Sequence, residues 1–149
     1  TPLYSSAASD VYKRQDAGRA VGPCGIDFGE VTSMELVIGG AFQGKLTWAL
    51  RHYGLTMADV CDLAAGDPVP GKKCYWHLEA LTRRCDNAEQ YLPLFENAVV
   101  ITREVGGGIV PMDGAERTWR EVHGTLVQRL AREAAHVTRI LCGLTEELK

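Results

Sequence analysis

Gly39-Gly40-Ala41-Phe42-Gln43-Gly44-Lys45 follows the apolar run Glu35-Leu36-Val37-Ile38 and precedes a helix-compatible segment from Leu46 to Tyr53. The order strand, glycine loop, helix is what a phosphate cradle requires, because backbone N–H groups must converge on an anion at a helix N-terminus. Gly39 and Gly44 can adopt backbone angles closed to other residues, and Lys45 carries a positive charge toward the β- and γ-phosphates. Gly39, Gly40, Ala41, Phe42, Gln43, Gly44 and Lys45 are therefore the expected nucleotide-binding residues. The residue after the lysine is Leu46, so the hydroxyl that commonly ligates Mg²⁺ in such loops is missing. Thr47, one position on and about 100° further round a helix, is the substitute expected for the nucleotide or metal.

Outward from this loop, residues 1–33 contain Ser, Ala, Gly and isolated charges with no sustained apolar period, and are expected to lie outside the fold. They also lack the continuous apolar core of a secretory signal. Tyr4 to Gln15 resembles a translated sequencing-adapter read-through, and Gly29-Glu30-Val31 is compatible with a translated ribosome-binding site, which makes Met34 the expected start. Residues 34–149 then form a single nucleotide-binding domain.

The whole sequence has 16 Lys+Arg against 19 Asp+Glu, a net charge of −3, and no basic tract, which argues against nucleic-acid binding. No apolar run is long enough to span a membrane. Five cysteines, at 24, 61, 74, 85 and 142, include no C-x-x-C pair and suit a reduced, cytoplasmic protein without structural zinc.

Beyond Gly54, Met57 to Cys61 is expected to be a short strand and Gly66 to Gly71 a loop. Cys74, Leu78, Leu81 and Cys85 recur at spacings of four, three and four, predicting one helix with His77 bordering its apolar stripe and Glu79 off it. Tyr91 to Phe95 suggests a helical turn around Pro93.

Ala98-Val99-Val100-Ile101-Thr102 reads as a strand covered on both faces. It delivers Arg103 and Glu104 to the sheet edge where ligands of open α/β sheets bind. Glu104 is the candidate for the metal or for activating an acceptor hydroxyl. Gly106 to Pro111 is expected to close over a substrate, with Gly106, Gly108 and Pro111 as its key positions. Asp113 and Glu116 have capping-box spacing and open a helix to about Ala135, with Trp119, Val122, Leu126, Leu130 and Ala134 as its buried face. Gly124 within it suggests close packing or ligand approach. A strand from Val137 to Cys142 and a short edge strand from Leu144 complete the expected fold: α/β, P-loop NTPase-type, a mainly parallel sheet of about four to five strands flanked by helices.

Glu104-Val105-Gly106-Gly107-Gly108-Ile109-Val110-Pro111, then Arg120, Gly124, Gln128-Arg129-Leu130-Ala131, Gly143 and Lys149, resemble the C-terminal half of the adenosylcobinamide kinase/adenosylcobinamide-phosphate guanylyltransferase family. The glycine loop resembles its N-terminal half. The resemblance implies ATP or GTP with Mg²⁺, a corrinoid substrate, a trimeric homo-oligomer and phosphorylation of the aminopropanol hydroxyl of adenosylcobinamide, followed in the family by guanylyl transfer through a histidine.

Leu46 and Arg103 depart from the family's pattern, as do Thr125 and Val127, and the strand ending D-C-L-T has no evident counterpart between Gly54 and Asn97. His77 is the possible guanylylated histidine, whereas His52, His123 and His136 are expected away from the phosphates. The expectation is thus a kinase without the guanylyltransferase half. A catalytically degenerate binding relative and an intact bifunctional enzyme are the alternatives.

Overall fold

The computed structural model describes residues 31–149. Strands β1 (Glu35–Gly39), β2 (Val60–Asp62), β3 (Cys74–Trp76), β4 (Val99–Arg103), β5 (His136–Leu141) and β6 (Leu144–Glu147) form one sheet in the order β2-β3-β4-β1-β5-β6. Every neighbouring pair is parallel except β5 and β6. Helices α1 (Lys45–His52), α2 (Leu78–Arg84), α3 (Leu92–Phe95) and α4 (Gly114–Glu133) flank it. This is an α/β fold of the P-loop NTPase type, with six strands where four or five were expected.

Alternation along the central strands makes two cores, since successive side chains leave opposite faces. Leu36, Tyr75, Val100 and Val137 meet Leu78, Leu81, Phe95, Leu126 and Leu130 on one face. Val37, Cys74, Val99, Ile101 and Ile140 meet Ala49, Leu50 and Leu55 on the other. Val31 packs partly buried against the second core, and the Ser33 hydroxyl donates to Glu35 Oε1 at 3.1 Å. The Tyr4 to Gln15 stretch and Cys24 lie outside the described residues.

The extra strand corrects the reading of residues 74–85 as one helix. Cys74 and Tyr75 are both fully buried, in different cores, which a strand achieves in two residues and a helix face does not. β3 pairs on both sides, with β2 and with β4. The four-residue step from Cys74 to Leu78 joins a strand to the helix after it. Similarly, Met57–Asp59 is a 3₁₀ turn, closed by the Asp59 carboxylate accepting from the Thr56 amide at 2.8 Å, and the strand begins only at Val60. The turns Ala88–Tyr91 and Leu92–Phe95 agree with the expected helical stretch around Pro93.

Helix α4 buries Leu126, Leu130 and Ala134 as expected, but not Val122. Val122 is 45% exposed and His123 1%, so the buried stripe is His123, Leu126, Leu130 and Ala134. Asp113 caps the Ala115 amide at 3.1 Å, but Glu116 turns away to make a bidentate pair with Arg83 at 2.8 and 3.0 Å, leaving the capping box half made. At Gly124 an added Cβ would meet nothing within 4 Å, so close packing does not explain that glycine.

At Gly39 the opposite holds: a Cβ would stand 2.4 Å from the Ile140 carbonyl oxygen. Gly39→Ala must therefore push β5 away from β1, and we expect a loss of about 1–3 kcal/mol in urea unfolding. Gly66→Ala, with open space around it, should leave the midpoint unchanged.

At the other end of the sheet, His136 Nδ1 lies 3.1 Å from both Glu35 carboxylate oxygens. This hydrogen bond raises the imidazole pKa. Its stabilisation is complete below the ordinary pKa of about 6.5 and is lost as pH rises through the higher folded value. With His136 59% exposed, its worth is at most about 1 kcal/mol. Between pH 6 and 8 the midpoint of His136→Gln should fall less than that of the parent.

Candidate functional site

The loop between β1 and α1 is set by its backbone. Phe42 and Gly44 take left-handed angles, φ 58° and 85°, which turn the chain into α1 at Lys45. No acidic side chain occupies the first turn of α1, so its N-terminal positive end is uncompensated by the helix itself. Gln43 braces the loop on the turn between β5 and β6: its side-chain oxygen accepts from the Cys142 amide and its carbonyl from the Gly143 amide at 3.1 Å. Leu46 packs into the core beneath α1, and Thr47 is exposed.

Lys45 is only 9% exposed, and its ammonium donates to the Gly40 carbonyl. Burial lowers its pKa, opposed chiefly by the Glu79 carboxylate, with Arg103 lowering it further and Glu104 raising it. The sheet register explains this grouping. Gly39 of β1 lies opposite Arg103 of β4, and the Glu104 amide donates to the Gly39 carbonyl at 3.0 Å. The Glu104 carboxylate itself is held by Arg139 of β5, at 2.8 and 3.4 Å.

Glu79 is the carboxylate that the sequence reading did not select. It projects from the first turn of α2, and its Oε2 accepts from the Arg103 amide at 3.1 Å and the Thr102 hydroxyl at 3.4 Å. In the sequence Glu79 is visible only as a helical position off the apolar stripe, and no spacing ties it to Arg103, 24 residues on.

His77 is not on a helix face. It follows β3 with φ 63°, its Nδ1 2.8 Å from Asp62 Oδ1 at the end of β2, and its ring stacked on Trp76 at 3.7 Å. Asp62 thus occupies Nδ1 and leaves Nε2 for other chemistry. The side chain is 31% exposed at the same carboxyl edge of the sheet as the glycine loop. Since β4 separates β3 from β1, His77 stands two strand spacings, about 10 Å, across the sheet from that loop. His52 stacks on Trp48 at the far end of α1, and His136 opens β5 beside Glu35, both at the opposite end.

Gly106 to Pro111 leads outward. Ile109 is 91% and Met112 98% exposed, and the segment is tied to α4 by Arg120 on the Ile109 carbonyl at 3.2 Å and Arg117 on the Pro111 carbonyl at 2.8 Å. Gly106 and Gly108 both have open space at the Cβ position.

For Mg²⁺ the protein's donors are sparse. Leu46 offers no oxygen, Glu104 is engaged by Arg139, and no group of three or more His, Cys, Asp or Glu among the described residues is arranged to hold a metal. Among the described residues no helix is long and apolar enough to cross a membrane.

A mainly parallel sheet with a glycine loop between β1 and α1, and charged groups gathered at the carboxyl ends of its strands, defines an α/β domain of P-loop NTPase type. Residues 73–148, just over half of the chain, match the family model for cobinamide kinase / cobinamide phosphate guanyltransferase, and the chain belongs to that family of cobalamin-biosynthesis transferases. The match starts one residue before β3 and runs through β6, so it includes Glu79, Glu104 and the Gly106 to Pro111 loop; the Gly39–Lys45 loop precedes it. No curated protein matches the chain.

Proposed function

We propose that the chain binds ATP or GTP at the Gly39–Lys45 loop and transfers the γ-phosphoryl group to the hydroxyl of adenosylcobinamide. The observation that carries this reading is the burial of Lys45 beside the loop with Glu79, Arg103 and Glu104 as its charged neighbours. Phosphoryl transfer depends mostly on positioning and charge neutralisation, which a glycine loop and a lysine supply. In this reading the loop amides hold the phosphates and Lys45 exchanges the Gly40 carbonyl for a phosphate oxygen. The acceptor oxygen forms a bond to the γ-phosphorus as the bond to the β–γ bridging oxygen breaks, and the acceptor proton passes to a carboxylate. Glu79 suits that role better than Glu104, whose charge Arg139 already offsets. Glu104 then acts by fixing Arg139 and the local potential. Gly106, Gly108 and Pro111 belong to the segment that covers the corrinoid.

The Asp62–His77 pair favours a second reading, in which the guanylyltransferase half is also present. An imidazole oriented through Nδ1 by a carboxylate presents Nε2 as a nucleophile. Attack there on the α-phosphorus of GTP would form an N–P bond and expel pyrophosphate.

Incubating the full chain with adenosylcobinamide, Mg²⁺ and each nucleotide in turn should yield phosphorylated corrinoid by mass spectrometry. Lys45→Ala should weaken nucleotide binding by about 1.5–3 kcal/mol, and unchanged affinity would sink the loop assignment. Glu79→Gln should spare binding and depress turnover more than Glu104→Gln does. With GTP labelled at the α-phosphate, acid-labile label on the protein that vanishes in His77→Asn establishes the second reading. Corrinoid phosphorylation without such label leaves the kinase alone.

A further inference from the structure

A chain of hydrogen bonds inside the molecule ends on the carboxylate beside Lys45. His123, 1% exposed, has a threonine hydroxyl at each ring nitrogen: Thr82 Oγ1 lies 2.9 Å from Nδ1 and Thr102 Oγ1 lies 3.1 Å from Nε2. Thr82 also accepts from the Trp119 indole N–H at 3.1 Å, and Thr102 reaches Glu79 Oε2 at 3.4 Å, with the Arg103 carbonyl a second acceptor at 3.5 Å. Three elements meet through this one ring: α2 through Thr82, β4 through Thr102, and α4, which carries His123 itself.

The two ends of the chain have fixed polarity. An indole N–H only donates, and an ionised carboxylate only accepts. If the Thr102 proton points to Glu79, Thr102 must receive its other bond from the ring, so Nε2 carries hydrogen. Nδ1 is then the acceptor for the Thr82 hydroxyl, whose own oxygen accepts from Trp119. Burial keeps the imidazole neutral by lowering its pKa, so it cannot donate from both nitrogens. All donors then run one way, from Trp119 to Glu79. The opposite tautomer would leave the Thr102 oxygen facing the carboxylate with no hydrogen between them. It becomes the comfortable one only without that carboxylate, because Thr102 can then turn its proton to Nε2 while Thr82 donates to the Glu79 carbonyl, 3.1 Å away.

We infer that His123 is a positioning residue for the reaction: as a neutral Nε2–H imidazole it aims the Thr102 hydroxyl at Glu79 and holds that carboxylate in place beside Lys45. The inference rests on the proposed phosphoryl transfer for its kinetic consequence, but not for the tautomer. A histidine that merely filled the core would keep its tautomer whatever stood at position 79.

The test has two arms on the full-length protein. Long-range ¹H–¹⁵N correlation of the imidazole should show a neutral Nε2–H ring in the parent and an Nδ1–H ring in Glu79→Ala; Glu79→Leu, which removes the same carboxylate and keeps the Thr102 hydroxyl, carries that readout if Glu79→Ala does not fold. An Nδ1–H or doubly protonated ring in the parent, or no change of tautomer when the link is cut, overturns the inference. In the kinetic arm, His123→Leu should lower kcat about tenfold with the nucleotide KM within about twofold, and His123→Gln, which keeps a donor near the Nε2 position, should recover most of the loss. Equal losses in the two variants, or a loss confined to KM, overturns it as well. A parent protein that phosphorylates no corrinoid counts against the proposed function alone, and the tautomer arm then decides the inference by itself.

Discussion

The central position of β1 is the constraint on which the rest of the molecule depends. Hydrogen-bonded to β4 on one side and β5 on the other, it is covered on both faces, with Leu36 in one core and Val37 in the other. Its last residue is the tightest point: Gly39 lies against the Ile140 carbonyl and accepts from the Glu104 amide. The glycine loop therefore leaves the sheet from a rigid base, and its direction is fixed before α1 begins. Groups from β4 and β5 arrive at the same edge because parallel register carries them there.

That edge gathers charge of both signs in a confined space. Lys45 gives up much of its hydration, while Glu79 and Glu104 supply the countercharge and Arg103 and Arg139 temper it. Each carboxylate is tied to a different strand, Glu79 to the β4 backbone and Glu104 to Arg139 of β5. An anion entering between them would meet an ammonium already stripped of water and partly compensated, which favours exchange of one oxygen partner for another over binding from bulk solvent.

How much of this could be read from the residues depended on whether a requirement was local. The loop was legible because Gly39, Gly44 and Lys45 answer to local backbone and charge, and β4 because Val99 to Ile101 leaves no polar face. β3 was not, since three residues carry no period of their own and Cys74 falls by chance in step with Leu78. Glu79 is helical as expected, but its partners Thr102 and Arg103 stand 23 and 24 residues away on β4, and no local pattern announces them. The sequence places His123 only on the last helix, away from the phosphates; the fold reveals that Thr82, 41 positions away, and Thr102, 21 away, receive it. Asp62 and His77 are 15 residues apart on separate elements, and nothing in their spacing announces the pairing that a parallel β2–β3 register produces.

The β5–β6 hairpin ties this chemistry to the last residues of the chain. Lys149 places its ammonium on the Ala131, Arg132 and Ala134 carbonyls, closing the end of α4 as a C-cap would, and its own carbonyl accepts from the Val137 amide. A few residues earlier, the Cys142 and Gly143 amides support Gln43. A proteolytic nick in that exposed turn would release a helix end and the loop's floor together, so the integrity of the tail is a proxy for the integrity of the loop.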